Sequence, residues 1–376
     1  MPHCRYQHGS AVSIVEGVNA AILEQFGRPL TVAAVPDPPR NGGEVLVDVL
    51  SALVLPYSAE VFSGERRYPL EPPVIPGVGG IGKIAEAGPD STQLNVGDLV
   101  WCDPTVRSRD DASTPDITLQ GWSSRGEGGL RLSRHFHHGA FAQRMAVPTE
   151  NIARVPEGAD PARWSAIGIY LVPYGGLLAA DLRAGETLLV SGATGNYGSA
   201  AVAVGLAMGA ARVVCPGRNA AALADLRRTF GERVRPVMLT GGPEDDRTAM
   251  LDAGDGAVDV VIDLLPPSVS TEVVRTAVLT VRQHGRVVLM GGVGMRGGEE
   301  LRLPYPWLMR NCVTVRGQWM YDRTAIPRLI ELARSGLLDL EHDTVTTFRL
   351  EQVNEAITHA ARDSGPFHRT VITPGL

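Results

Sequence analysis

The stretch that decides the fold is Thr187-Leu188-Leu189-Val190-Ser191-Gly192-Ala193-Thr194-Gly195-Asn196-Tyr197-Gly198. It opens with a nearly continuous apolar run, as expected for a strand that is covered on both faces of a sheet. The glycines follow the dinucleotide-binding pattern A-x-G-x-x-G, with Ala193 in the first glycine position. Gly195 would let the backbone approach a pyrophosphate, and Gly198 would let the next helix lie close to the strand. The run 199–208, small and apolar nearly all round, predicts that buried helix.

Strand–helix alternation continues beyond this turn and predicts a parallel, doubly wound α/β sheet. Further strands are predicted at 212–215, 258–264 and 286–290, and a helix at 220–229. Ligands of such sheets bind at the carboxyl ends of the strands, and a helix N-terminus favours phosphate. The residues predicted to contact a dinucleotide lie in the turn and at the ends of two later strands: Gly192, Ala193, Thr194, Gly195, Asn196, Tyr197, Gly198, Asp263, Gly291, Gly292 and Val293.

The end of the second strand selects between the two nicotinamide dinucleotides. An acidic residue at this place would bind the adenosine ribose and repel a 2′-phosphate. The sequence has Pro216-Gly217-Arg218-Asn219 instead, without a carboxylate. Arg218 can form a bidentate contact with a phosphate. We therefore predict NADPH (NADP+) as the cofactor rather than NADH, with Gly217, Arg218 and Asn219 in its site.

Composition limits the chemistry. A chain of 376 residues with 44% hydrophobic residues is long enough for two domains with a sizeable core. Lys83 is the only lysine among 35 basic residues, and Ile84 follows it, so imine chemistry and a P-loop are disfavoured. The net charge of −6 argues against a nucleic-acid partner. No apolar run reaches about 18 residues and no signal peptide is recognised, which predicts a cytoplasmic protein without a membrane partner.

The part of the chain before the dinucleotide pattern is rich in short β-like runs. Residues 1–17 are polar and irregular and predict a flexible N-terminal extension. The polar stretch Asp103 to Gly128 predicts a long surface excursion. The cluster His135-Phe136-His137-His138 has no acidic or cysteine neighbour, so a solvated loop is favoured there over a metal site.

Further motifs are dispersed over nearly the whole chain: Pro76-Gly77-Val78-Gly79-Gly80-Ile81-Gly82, Val96-Gly97-Asp98-Leu99-Val100, Gly139-Ala140-Phe141-Ala142-Gln143, Ala184-Gly185-Glu186-Thr187, Gly285-Arg286-Val287-Val288 and Arg369-Thr370-Val371-Ile372-Thr373-Pro374. With the glycine turn, they resemble the medium-chain dehydrogenase/reductase superfamily, specifically its zinc-free quinone oxidoreductase-like branch. The resemblance implies a discontinuous GroES-like β-barrel catalytic domain, residues 18–168 and 315–376. It also implies an inserted Rossmann dinucleotide-binding domain, residues 169–314, and a homodimer.

The resemblance also bears on metals. Zinc-dependent relatives carry a cysteine and a histidine where this chain has Leu55 and Val78. Catalytic zinc normally has three protein ligands, so we predict that no metal is bound. Substrates that are already activated, such as quinones or α,β-unsaturated carbonyls, are then favoured over simple alcohols.

Tyrosines are the candidate hydrogen-bond donors for a developing oxyanion. Tyr57 lies in a segment that resembles the family's active-site loop and is the candidate catalytic residue. Tyr57, Tyr197 and Trp319 are predicted to line the substrate pocket. The predicted function is an NADPH-dependent, zinc-independent reductase of quinones or enones. Two alternatives remain open: a ketone or aldehyde reductase of a biosynthetic pathway, and an NADPH-binding sensor or scaffold without turnover.

Overall fold

The computed structural model describes residues 17–375. The predicted N-terminal extension thus lies outside the described residues, except for Gly17, which begins the first strand. The strands are β1 (Gly17–Ile22), β2 (Thr31–Pro36), β3 (Glu44–Val54), β4 (Gly80–Glu86), β5 (Leu99–Cys102), β6 (Thr105–Arg107), β7 (Ile117–Leu119), β8 (Ser123–Ser124), β9 (Arg144–Pro148), β10 (Ile152–Arg154), β11 (Thr187–Ser191), β12 (Arg212–Gly217), β13 (Val234–Met238), β14 (Val258–Asp263), β15 (Val281–Leu289), β16 (Thr314–Gly317), β17 (Thr344–Arg349) and β18 (His368–Thr373). The α-helices are α1 (Ser58–Phe62), α2 (Gly126–Ser133), α3 (Pro161–Trp164), α4 (Ile167–Ala179), α5 (Asn196–Ala207), α6 (Ala220–Phe230), α7 (Pro243–Ala253), α8 (Thr271–Val278), α9 (Tyr305–Arg310), α10 (Ala325–Arg334) and α11 (Val353–Arg362).

The predicted doubly wound sheet is confirmed. Six parallel strands lie in the order β13-β12-β11-β14-β15-β16, and the strand order reverses beside β11. Every residue of β11 is buried, because helices cover both faces of the sheet. The glycine turn therefore lies at the point where this fold binds its ligands, outside the carboxyl ends of the central strands.

Most of the remaining strands precede the parallel sheet in the sequence, and the last two follow it. One mixed sheet has the order β10-β5-β4-β3-β18-β17, and β9 also pairs with β3. β18 pairs with β3, so the last described strand completes a sheet that begins near the start of the chain. β16 belongs to the parallel sheet. The predicted boundary between residues 314 and 315 therefore falls inside a strand, and we propose a boundary after Gly317.

Buried polar contacts hold the catalytic half together and join it to α4. Arg369 of β18 forms an ion pair with Asp343 at 2.9 Å, and both side chains are fully buried. The hydroxyl of Tyr170 in α4 donates to the same carboxylate at 3.0 Å. Tyr321, which follows the parallel sheet, donates to the buried Asp103 at 2.8 Å. These contacts fix the orientation of α4 and β18 beside the cleft.

The predicted surface excursion at 103–128 is wrong for residues 103–106 and 117–124, whereas residues 109–114 between them are exposed. Residues 117–124 are buried and include β7 and β8, which pair with each other. Several polar groups of this segment have partners inside the fold: Thr118 Oγ1 lies 3.0 Å from Ser124 Oγ, and Gln120 Nε2 donates to the carbonyl of Ala146 at 2.8 Å. This segment carries Trp122 to the floor of the active-site region, as described below.

Candidate active site

A cavity of about 790 Å³ lies between the two halves of the molecule. The carboxyl ends of β11 and β12 and the glycine turn form one wall, and α7 and α8 contribute to it. Residues 56–60, at and before α1, come from the catalytic half of the chain. The cavity has the place and the size expected for a small-molecule site at the switch point of an open α/β sheet.

Most of the predicted dinucleotide contacts lie on this cavity. The predicted residues that line it are Gly192, Thr194, Gly195, Asn196, Tyr197, Gly198, Gly217 and Arg218. Ala193 and Asn219 do not line it. Ala193 is fully buried beneath the turn. The Asn219 side chain accepts from the backbone N–H of Ala222 at 3.1 Å and so caps α6.

The glycine turn needs its glycines for close packing. A Cβ at Gly198 would clash with the carbonyl oxygen of Gly192, so the first turn of α5 could not lie where it does. Gly192 itself has a φ of 90°, in the left-handed region that favours glycine. Asn196 Nδ2 donates to the carbonyl of His368 at 2.8 Å, which anchors the turn to β18. The turn is thus held rigidly at the edge of the cavity.

Arg218 is exposed at the rim of this cavity, and no ion pair of the described residues includes it. Asp246 of α7 lines the same cavity, and its carboxylate is already satisfied. It accepts from the N–H and Oγ1 of Thr240 at 2.7 and 2.8 Å and from the N–H of Gly241 at 3.1 Å. The free guanidinium is therefore available to an anionic group of a ligand.

Four further predicted cofactor contacts do not lie on the main cavity. Asp263, Gly291 and Val293 line a second cavity of about 410 Å³, and Gly292 packs against Pro267. Asp263 is buried, and burial raises the pKa of its carboxyl to about 6, opposed by hydrogen bonds from Ser191 and the backbone of Leu265. The carboxyl ends of β14 and β15 border this second cavity together with residues of α8, which is why these residues do not lie on the main one.

Two tyrosines meet in the main cavity, one from each half of the chain. Their hydroxyl oxygens, Tyr57 Oη and Tyr197 Oη, lie 3.5 Å apart, and both residues line the cavity. Burial raises the pKa of Tyr57 well above its usual range, and burial also raises the pKa of Tyr197 to about 12. Both phenols are therefore protonated at neutral pH and can donate a hydrogen bond.

An arginine and a glutamate that sequence reasoning missed surround Tyr57. The guanidinium of Arg66 lies 4.1 Å from the centre of the Tyr57 ring and forms an ion pair with Glu60 at 2.8 Å. Arg296, from the loop after β15, also contacts Glu60 at 2.7 Å and Glu65 at 2.9 Å. These ion pairs link the two halves across the mouth of the cavity. No sequence signal marked the contacts of Arg296, because Glu60 and Glu65 are distant from it in the chain.

Trp122 is a second missed residue. It is almost fully buried, and its ring lies edge-on to Tyr57 at 5.9 Å and to Phe62 at 5.5 Å. This contact supports the position of the Tyr57 ring from behind.

The predicted pocket role of Trp319 is not supported by its position. Trp319 does not line the main cavity, and 41% of its surface is exposed. The reason is that β16, which precedes it, is the outer strand of the parallel sheet.

A zinc ion does not fit the described residues. Leu55 is buried among apolar side chains, and Val78 packs against the same core. Within 17–375, no group of three His, Cys, Asp or Glu side chains lies close enough together to hold a metal ion. The histidine cluster is divided among separate partners: His135 with Glu44 at 2.9 Å, and His137 with the carbonyl of Pro73 at 3.0 Å.

Two family models match the chain. The alcohol dehydrogenase GroES-like domain matches residues 41–157, and the zinc-binding dehydrogenase model matches residues 197–335. The first match and the observed sheets confirm the predicted GroES-like domain beside the Rossmann-like parallel sheet. Among the helices in the described part of the chain, none is long and apolar enough to cross a membrane.

Relatives of this kind include several dehydrogenases. A sorbitol dehydrogenase of Bacillus subtilis (strain 168) is 23% identical over 96% of this chain and 99% of its own length. A protein of Sinorhizobium meliloti 1021, solved bound to NADP, has a TM-score of 0.77 at 20% identity and covers 95% of this chain and 99% of its own. An alcohol dehydrogenase from E. coli CFT073, complexed with NADH, has a TM-score of 0.78 at 18% identity, with 95% and 99% coverage. The structural matches show a shared fold.

Proposed function

Since this chain belongs to the medium-chain dehydrogenase/reductase superfamily, we propose that it is an NADPH-dependent oxidoreductase that reduces quinones or α,β-unsaturated carbonyls without a metal ion. The observation that supports the proposal is the set of residues that line the main cavity. The glycine turn, an unpaired Arg218 and two phenol donors face one space of about 790 Å³. A dinucleotide and a conjugated acceptor can both be accommodated by such a set of groups.

The cofactor preference rests on Arg218. Its guanidinium stands after β12, where NADH-specific sites of this fold place a carboxylate. A 2′-phosphate carries about two negative charges near neutral pH, so an unpaired arginine at this position favours NADPH. The structural relatives include one bound to NADP and one bound to NADH, so the fold does not determine the cofactor. The prediction of NADPH therefore depends on Arg218.

The chemistry of reduction divides between the cofactor and the chain. The bound nicotinamide supplies a hydride to the electron-poor carbon of the acceptor. The chain orients the acceptor and stabilises the negative charge that develops on its oxygen, for which the phenol of Tyr57 is the proposed donor. Conjugated acceptors spread this charge themselves, which suits a site whose residues do not form a zinc cradle.

A second candidate is reduction of a ketone or aldehyde, or oxidation of the corresponding alcohol. The names of the relatives favour it, since they include sorbitol and alcohol dehydrogenases. The same phenol donor would then act on an alkoxide, whose charge is localised on one oxygen.

A panel of acceptors separates these functions. The purified protein is mixed with NADPH and a quinone, an enone, an aldehyde or a ketone, and loss of NADPH absorbance is followed. We expect the fastest turnover with quinones or enones, NADH to be the poorer donor, and no effect of a zinc chelator. Faster turnover of aldehydes or ketones would favour the second candidate. Nucleotide binding without turnover of any acceptor would indicate a binding protein.

We also propose that the protein is a homodimer. All four residues of β16 are exposed, although β16 is the outer strand of the parallel sheet. Large apolar side chains are exposed in the same part of the chain, Tyr305 by 76% and Met309 by 57%. An open strand edge with apolar neighbours is suited to pairing with a second copy.

A further inference from the structure

The two cavity tyrosines have an unusual relationship to each other. Their hydroxyl oxygens are 3.5 Å apart, whereas a good hydrogen bond between hydroxyl groups spans about 2.5–3.0 Å. The contact between the two hydroxyls is therefore long and weak, and a third oxygen can replace it. An oxygen placed beside both hydroxyls in the cavity can lie within hydrogen-bond distance of each.

The origin of the two groups makes the arrangement specific to this chain. Tyr57 precedes α1 in the catalytic half, and Tyr197 is the second residue of α5 in the glycine turn. The A-x-G-x-x-G pattern does not require an aromatic residue at this position, since its demands are on the glycines. The phenol of Tyr197 is thus an addition to the dinucleotide turn, and it points at the substrate side of the cavity toward Tyr57.

We propose that Tyr57 and Tyr197 together form a two-phenol oxyanion hole, in which both hydroxyls donate to the carbonyl oxygen of the acceptor. The inference rests on the proposed function, because an oxyanion must develop there. Pre-positioned donors of this kind stabilise charge that appears only in the transition state. One donor comes from each half of the chain, so the position of the two halves sets the distance between the donors.

The proton that completes the reduction follows from this geometry. The acceptor gains a hydride at carbon, and its oxygen takes the proton of one phenol as the O–H bond of that phenol breaks. The Arg66 guanidinium, 4.1 Å from the centre of the Tyr57 ring, stabilises the resulting phenolate at Tyr57. Solvent then returns a proton to the phenolate, so the net gain of the substrate is one hydride and one proton.

The test measures binding of a stable oxyanion, so it does not require the protein to turn over a substrate. Binding of 4-nitrophenol to the protein loaded with NADP+ is followed by absorbance, which reports the ionised form of the probe. We expect the bound probe to ionise at a lower pH than the free probe. Tyr57→Phe and Tyr197→Phe should each weaken binding of the phenolate by about tenfold or more, as expected for loss of a hydrogen bond to a charged acceptor. Their effects should multiply in the double variant, because each donor acts directly.

The controls separate a donor from a merely structural ring. Tyr68→Phe removes a phenol that contacts Arg66 at 3.5 Å but does not line the cavity, and it should leave phenolate binding unchanged. 4-Nitroanisole, which cannot ionise, should bind equally to all variants, and NADP+ affinity should be retained as evidence of an intact fold. Unchanged phenolate binding by Tyr197→Phe, or an equal loss in Tyr68→Phe, would overturn the inference. Failure of the acceptor panel with success here would refute the proposed reduction and leave the two-phenol site standing.

Discussion

Replacement of Arg218 by alanine tests the cofactor assignment most directly. The side chain is exposed and unpaired among the described ion pairs, so its removal leaves no buried partner without a contact. Two unit charges about 4 Å apart interact by about 1 kcal/mol in water. A 2′-phosphate carries up to about two negative charges, so the loss is about 2 kcal/mol. This corresponds to about 30-fold weaker binding of NADPH, whereas NADH should change less than about twofold.

The assay is a fluorescence titration of each nucleotide into the wild type and the variant. Measurement at low and high salt adds a second criterion, because screening should reduce the wild-type preference for NADPH and leave the variant unchanged. Arg228→Ala is the matched control, since Arg228 is an exposed residue of α6, the helix that follows Arg218, pairs with Asp225 at 2.7 Å and does not line the cavity. Equal loss of both nucleotides in Arg218→Ala, or a wild type that prefers NADH, would refute the assignment.

Three further predictions concern stability and assembly. The pKa of Asp263 is raised to about 6, so the folded state loses stability as the pH rises from about 4 to about 6. Relative to Asp263→Asn, the wild type should lose roughly 3 kcal/mol of unfolding free energy over this window. Urea unfolding at several pH values measures this loss. Arg369→Met leaves the buried carboxylate of Asp343 without its charged partner and should lower the free energy of unfolding by about 3–5 kcal/mol. The double variant with Asp343→Leu should recover much of this loss. An equally unstable double variant would contradict this account. Val315→Lys places a charge on the open edge of β16 and should convert the dimer to a monomer in light-scattering measurements, whereas an unchanged mass would exclude this edge as the interface.

The parallel sheet could be predicted from the sequence because its central strands are apolar throughout. The glycine turn could also be predicted, because the spacing of its glycines is typical of a dinucleotide-binding turn. The segment around Trp122 could not be predicted, since the backbone carbonyls to which the buried Gln120 donates, those of His138 and Ala146, come near it only after the chain has folded. The direction of Asp263 was likewise undetermined, because the end of a strand specifies a position but not which of two cavities a side chain enters.

Tyr197 belongs both to the glycine turn and to the pair of tyrosines in the main cavity. Tyr197 stands in the turn proposed to cradle the pyrophosphate, and its hydroxyl reaches the catalytic half of the chain. The same turn is anchored to β18 through Asn196, and Ser199 Oγ accepts from the backbone N–H of Phe367 at 3.3 Å. A displacement of the catalytic half would therefore move the anchor of the glycine turn and the partner of Tyr197 together. Arg296 joins the halves at a further point through Glu60, so we expect cofactor binding and the position of Tyr57 to depend on each other.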